Sequence, residues 1–178
     1  MSKFSNMDMF VQNGTEAVMA DDLLDHDADV TPRHILVAVD GSPASLAAVR
    51  YAGGIARSTG ARLDLLAVVD VSSTIYYGGA AQQLELIERG YANAVREAAE
   101  LVPLEVPVMT FVDRGNAAAR IAHHAEVFGC DLIVMGSRGR GRTTAALFGS
   151  TSQGVLHATC VPVLVLRGRA EASVAAPA

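Results

Sequence analysis

The sequence predicts an α/β protein built on an open, mostly parallel five-stranded sheet with helices on both faces, a Rossmann-like three-layer sandwich. Three observations lead there. Five short apolar runs recur between His34 and Leu166, each of the length and character of a strand buried on both faces. Segments with helical spacing separate them, giving β-α-β-α-β-α-β-α-β, and right-handed crossovers turn that order into a parallel sheet covered on both sides. The apolar content, 51%, is carried by Ala, Val and Leu with only 5% aromatics, which suits helices packed closely on β-branched strands.

The first run, His34-Ile-Leu-Val-Ala-Val39, ends at Asp40-Gly41-Ser42-Pro43. Ser42 is a natural N-cap and Pro43 fits the first helical position, so a helix through Leu46, Val49, Ala52 and Ile55 should stop at Gly60. Leu63 to Val69 forms a second buried strand. Residues 71–81, rich in Ser, Tyr and Gly, read as an irregular connection. From Gln82 the helical period returns: Leu84, Ile87, Tyr91, Val95 and Ala98 share a face in a long amphipathic helix that ends before Pro103. Val106 to Val112 is a third strand, and Pro107 within it favours a sheet edge. Asn116 to Phe128 is an Ala-rich helix closed by Gly129, and Asp131 to Met135 a fourth buried strand. A last helix, Gly149 to Ala158, precedes a last strand, Val161 to Leu166.

Charge is uneven along the chain. Residues 1–32 hold seven acids against one base, Lys3, for a net of −6, whereas the remainder holds 12 acids and 13 arginines, net +1. We read 1–32 as an acidic, flexible extension, 33–168 as the folded domain and 169–178 as a flexible tail. The near-neutral domain argues against a nucleic-acid binder working through a broad basic face. No run approaches the roughly 18 apolar residues of a membrane span, and the start lacks a signal-peptide apolar run, so a cytoplasmic protein without membrane contact is expected. Cys130 and Cys160 sit in no Cys-x-x-Cys or His-rich spacing, so two reduced, largely buried thiols are expected and no metal site is read from them. His123 and His124 point about 100° apart on a helix and cannot share a metal as a pair. Asp113, at the end of a peripheral strand, reads as a cap or solvated carboxylate.

Ligands of such sheets bind at the carboxyl ends of the strands, where strand order reverses. The fourth strand empties there into Gly136-Ser137-Arg138-Gly139, and after Arg140 and Arg142 the segment closes on Gly149-Ser150-Thr151 at a helix start. The spacing is G-x2-G-x9-G-[ST]. Glycines let a backbone turn successive N–H groups inward, and a helix N-terminus adds free N–H groups and the positive end of its dipole, so this loop suits phosphate oxygens. A P-loop would need a lysine in the motif, and the only lysine in this sequence is Lys3. The dinucleotide fingerprint is absent as well, since the first turn reads Asp40-Gly41-Ser42-Pro43. The loop therefore reads as a holder of phosphates.

Three stretches together resemble the universal stress protein family, over nearly all of His34 to Arg167: Ile35 to Ser42 with its Ala-rich helix, the Gly136/Gly139/Gly149-Ser150 motif, and Cys160 to Leu166. The resemblance implies the adenine nucleotide alpha hydrolase-like fold and ATP binding, with Mg2+ or Mn2+ held through the phosphates. It implies a site in which Asp40, with Ala38 and Val39 before it, lies by the nucleoside and Val68 meets the base. Met135 and Gly136 would pack the ribose and first phosphates, while Ser137, Arg138, Gly139, Gly149, Ser150 and Thr151 would surround the phosphates. Ala38 stands where some members have Pro and Arg138 where many have His. The resemblance also implies a homodimer through the last strand, Val161–Leu166. The function expected is a nucleotide-dependent regulatory module in a stress response, with no catalytic residues; the alternative is a slow ATPase or self-phosphorylating protein using Ser150, Thr151, Thr143 or Thr144. Adenylate-forming relatives need a Ser-Gly-Gly loop after the first strand, of which Asp40-Gly41-Ser42 is a partial echo.

Overall fold

A computed structural model describes residues 31–70, 81–137 and 149–167. The chain divides between Thr31 and Pro32, and all the secondary structure below belongs to the second unit. The acidic segment, the connection over 71–80, Arg138 and Gly139 with the rest of 138–148, and the tail from 168 lie outside the described residues.

The elements are β1 (His34–Ala38), α1 (Pro43–Thr59), β2 (Arg62–Val69), α2 (Ala81–Ala99), β3 (Val108–Arg114), α3 (Ala117–Phe128), β4 (Leu132–Gly136), α4 (Ser150–Ala158) and β5 (Val163–Leu166). The strands form one sheet in the order β3-β2-β1-β4-β5, and all four pairings are parallel. Strand order therefore reverses between β1 and β4, which opens a crevice at their carboxyl ends.

β1 shows why the sheet needs cover on both sides. Ile35 and Val37 join a core with Ala48, Val49 and Ala52 of α1 and Val95 and Ala98 of α2. Leu36 points the other way, into a second core with Ile121 and Ala125 of α3 and Val155 of α4. Ile35, Leu36 and Val37 are each fully buried, a contribution of about 1.5–3 kcal/mol per side chain. The buried stripe of α1 is Ala44, Ser45, Ala48, Val49, Ala52, Gly53 and Ala56, whereas Leu46 and Ile55 pack at its margin. Small side chains face the sheet because they let the helix axis approach it closely.

The helix ends follow local chemistry. Ser42 caps α1, its Oγ accepting from Ser45 N–H at 3.2 Å, and Gly60 ends it in the left-handed region at φ 76°. Asn116 caps α3 through Ala119 N–H at 3.0 Å, and Gly129 ends it at φ 65°. Two strands start two residues later than the sequence suggests. β3 begins at Val108 because Pro107 has no N–H for the ladder, although its carbonyl still accepts from Leu63 at 2.8 Å. β5 begins at Val163, after Pro162. β3 is a sheet edge, as Pro107 requires.

Candidate functional site at the carboxyl edge

β1 leads into a tight turn that sets Asp40 at the crevice. Val39 N–H still bonds Leu66 O at 2.8 Å, extending the ladder by one residue. Asp40 Oδ1 then accepts from Ser42 N–H at 2.9 Å, and Gly41 adopts φ 78°, a conformation that a side chain would strain. Ser45 Oγ donates to Ser42 O at 2.9 Å. Asp40 is thus held, partly exposed, at the start of α1.

β4 leaves the sheet beside it. A Cβ at Gly136 would lie 2.9 Å from both the carbonyl carbon and the Cβ of Ala44, so this glycine lets the end of β4 pack against the first turn of α1. The requirement is internal packing, before any ligand is considered. Ser137 is buried; its N–H donates to Leu166 O at 2.7 Å, and its carbonyl accepts from Gly149 N–H at 2.8 Å. Ser152 Oγ donates to Gly136 O at 3.4 Å. Ser137 and Gly149 are therefore held together, and α4 starts beside the end of β4.

Gly149 caps α4 in an extended conformation with no side-chain hydrogen bond. The first-turn N–H groups of Ser150, Thr151 and Ser152 thus begin a helix whose cap residue supplies no side-chain acceptor, the chemistry that an anionic oxygen completes. Ala38, Val39, Asp40, Met135, Gly136 and Ser137 stand at the reversal of strand order, with Gly149, Ser150 and Thr151 at the start of α4. Val68 lies buried near the end of β2, in register with Asp113. Asp113 itself is held by Arg120, whose Nε donates to Oδ2 at 2.6 Å.

The opposite edge holds a cluster that sequence spacing did not suggest. His34 Nε2 lies 3.0 Å from Asp64 Oδ2, and His124 Nε2 lies 3.1 Å from the same oxygen. Cys130 Sγ is 3.7 Å from either nitrogen of His34. All four residues are buried. Burial, then the Asp64 charge, push the Cys130 thiol up to about 12, against the nearby Arg62. His123, in contrast, is exposed. Cys160 is exposed too, not buried as expected, because it sits in the turn after α4 rather than on a packed face. One signal was legible: Asp64 interrupts an otherwise apolar strand, and a carboxylate there requires partners.

The fold and the carboxyl edge define a Rossmann-like α/β domain with a crevice at a topological switch point. The chain belongs to the Universal stress protein family, whose profile matches residues 31–167. A universal stress protein of Mycobacterium tuberculosis is 36% identical over 143 residues, 76% of this chain and 46% of its own length. One from Methanocaldococcus jannaschii is 30% identical over 139 residues, 76% of this chain and 82% of its own. The chain thus spans about half the length of the mycobacterial relatives it matches. Among solved structures, UspA from Lactobacillus plantarum is 26% identical with a TM-score of 0.61, covering 76% of this chain and 97% of that one. Two others share the fold: a universal stress protein in complex with cAMP (23% identical, TM-score 0.55, 77% of this chain and 98% of that one) and one from Archaeoglobus fulgidus in complex with dAMP (20%, 0.59, 75% and 96%). Among the described residues, no helix is long and apolar enough to cross a membrane.

Proposed function

We propose that this domain binds an adenine nucleotide, ATP, across the carboxyl edge of β1 and β4 and acts as a nucleotide-dependent regulatory module in a stress response. The observation that carries this reading is the hydrogen bond from Gly149 N–H to Ser137 O, 2.8 Å. It brings the start of α4, which has no side-chain cap, to the end of β4 at the switch point. Phosphates would meet the first-turn N–H groups of α4, joined by Arg138 and Gly139, while Asp40 would accept from the ribose hydroxyls and Val68 would lie against the base. Proteins of this fold solved with cAMP and dAMP support the ligand class at the level of the fold. A divalent cation, Mg2+ or Mn2+, would neutralise the phosphates when bound.

Asp40 would hold the ribose through hydrogen bonds, and α4 would orient the phosphate chain along its axis. In this reading two chains associate through β5, which is the last strand of the sheet among the described residues, and the protein works in the cytoplasm. Calorimetric titration of the purified chain with ATP, ADP and AMP tests it. Saturable binding that weakens as phosphates are removed is expected; no heat at millimolar ATP overturns the reading.

A second reading is slow phosphoryl transfer, favoured by the exposed Ser150 at the first turn of α4. It requires label from γ-labelled ATP to enter the protein and to be lost in Ser150→Ala or Thr151→Val.

A further inference from the structure

We propose that His34, Asp64 and Cys130 form a binding site for a borderline-soft divalent cation, Zn2+ by its ligand chemistry, at the amino-terminal edge of the sheet, with His124 orienting the Asp64 carboxylate. The three residues come from the first position of β1, the interior of β2 and the turn between α3 and β4. One donor atom from each lies within 4.8 Å of the others. Zinc bonds of about 2.0–2.3 Å in a tetrahedral arrangement set neighbouring ligand atoms roughly 3.3–3.6 Å apart. His34 Nε2 and Asp64 Oδ2 are at 3.0 Å, and Cys130 Sγ and His34 Nε2 at 3.7 Å. Those two separations are within a few tenths of an ångström of that spacing, and the third, between Cys130 Sγ and Asp64, closes from no more than 4.8 Å as the thiol turns from beside the His34 ring, where it is 3.7 Å from both nitrogens, toward the ion.

The hydrogen-bond partners of His34 add an independent observation. Its Nδ1 lies 3.1 Å from Phe128 O and 3.0 Å from Arg62 Nη2. A carbonyl demands a proton on Nδ1 and a guanidinium demands a lone pair, so only one contact can be a hydrogen bond. With the proton on Nδ1, the lone pair of Nε2 faces the Asp64 carboxylate, two acceptors in a buried place. A cation between them completes that tautomer, and Arg62, which is exposed, can turn to solvent; the other tautomer, with the proton on Nε2, donates to Asp64 and accepts from Arg62 without an ion. A backbone carbonyl holding the far N–H is the usual outer partner of a metal-bound imidazole.

His124 Nε2–H donates to Asp64 Oδ2 at 3.1 Å. Its ring is fixed by Phe128, stacked at 4.3 Å, and Phe111, edge-on at 4.6 Å. On binding, the Cys130 S–H bond breaks, a sulfur–metal bond forms and the proton leaves to water. Thiolate and carboxylate then balance the two charges of the ion, which suits a buried site. Arg62 and Asp131, both exposed, contact His34 through its Nδ1 and its backbone N–H. The site lies at the other end of the strands from the nucleotide crevice, so neither reading depends on the other.

The test uses the full chain, stripped with chelator and titrated with Co2+, then Zn2+, near neutral pH. One Co2+ per chain with a thiolate-to-cobalt charge-transfer band is expected, displaced by one equivalent of Zn2+. Cys160→Ser should keep the band. Cys130→Ala should lose it and bind Co2+ about a hundredfold more weakly, and His124→Gln should keep it with affinity lowered about tenfold. Circular dichroism of each variant checks folding; if Cys130→Ala does not fold, the titration of Cys160→Ser decides. Absence of the band in the parent chain, its loss in Cys160→Ser, or its survival in a folded Cys130→Ala overturns the proposal.

Discussion

His124 Nε2 lies 3.1 Å from Asp64 Oδ2 although the residues are 60 positions apart, and the same oxygen is 3.0 Å from His34 Nε2. Two imidazoles thus serve one buried carboxylate. Asp64→Ala removes the centre of that arrangement and leaves both rings without it, so a loss of about 3 kcal/mol is expected. Urea denaturation of the metal-free protein measures it, and Asp64→Asn should lose less because one acceptor oxygen remains.

Gly154 sits where α4 crosses α3. A Cβ there would meet Ala118 Cβ at 2.6 Å, inside any tolerable contact. Gly154→Ala should cost about 1–3 kcal/mol through overpacking, even though alanine is the better helix former. Adding Ala118→Gly should restore most of the loss, and the non-additivity in a double-mutant cycle measures the contact.

Gly136→Ala drives a Cβ against Ala44, including its backbone carbonyl carbon, which cannot rotate away. A stability loss of about 1–3 kcal/mol is expected without any nucleotide present. Because Ala44 follows the Asp40–Pro43 turn, nucleotide affinity should fall as well. Thermal melts with and without ATP separate the two effects.

Burial alone would raise the pKa of Asp113, but hydrogen bonds from Arg114 N–H and the Arg120 guanidinium, with the charge of Arg120, hold it below its ordinary value of 3.8. A depressed carboxylate contributes stability above the unfolded value and loses it as pH falls through the folded one. Asp113→Asn should therefore cost less than about 1 kcal/mol at neutral pH, since the pair is partly exposed. The difference from the parent should shrink as pH drops below 3.8. Denaturation curves at neutral and acid pH check both parts.

The two thiols should react at very different rates. Cys160 is exposed, while Cys130 is buried with its thiol at about 12, so almost no thiolate is available at neutral pH. A thiol reagent should modify one cysteine rapidly in the metal-free folded chain and the second only on unfolding. Mass spectrometry of the labelled peptides identifies which.

What the sequence alone determined is local. Ser42, Gly60, Asn116 and Gly129 act on backbone groups within a few positions of themselves, so the limits of α1 and the end of α3 were readable. Strand identity was readable because Ile35 to Val37 and Leu65 to Val69 are apolar without alternation, which requires cover on both faces. Pro107 marked an edge strand because a missing N–H has a fixed consequence. The glycine spacing after β4 was legible as a pattern, but its reasons were not. Gly136 is required by Ala44, whose approach depends on how α1 lies across the sheet. The His34–Asp64–His124–Cys130 cluster likewise needs the register that sets His34 against Arg62 and Leu36 against Asp64, and α3 packed over that face. Such contacts join residues 30 to 96 positions apart, and only tertiary packing decides which of a chain's polar groups share one buried space.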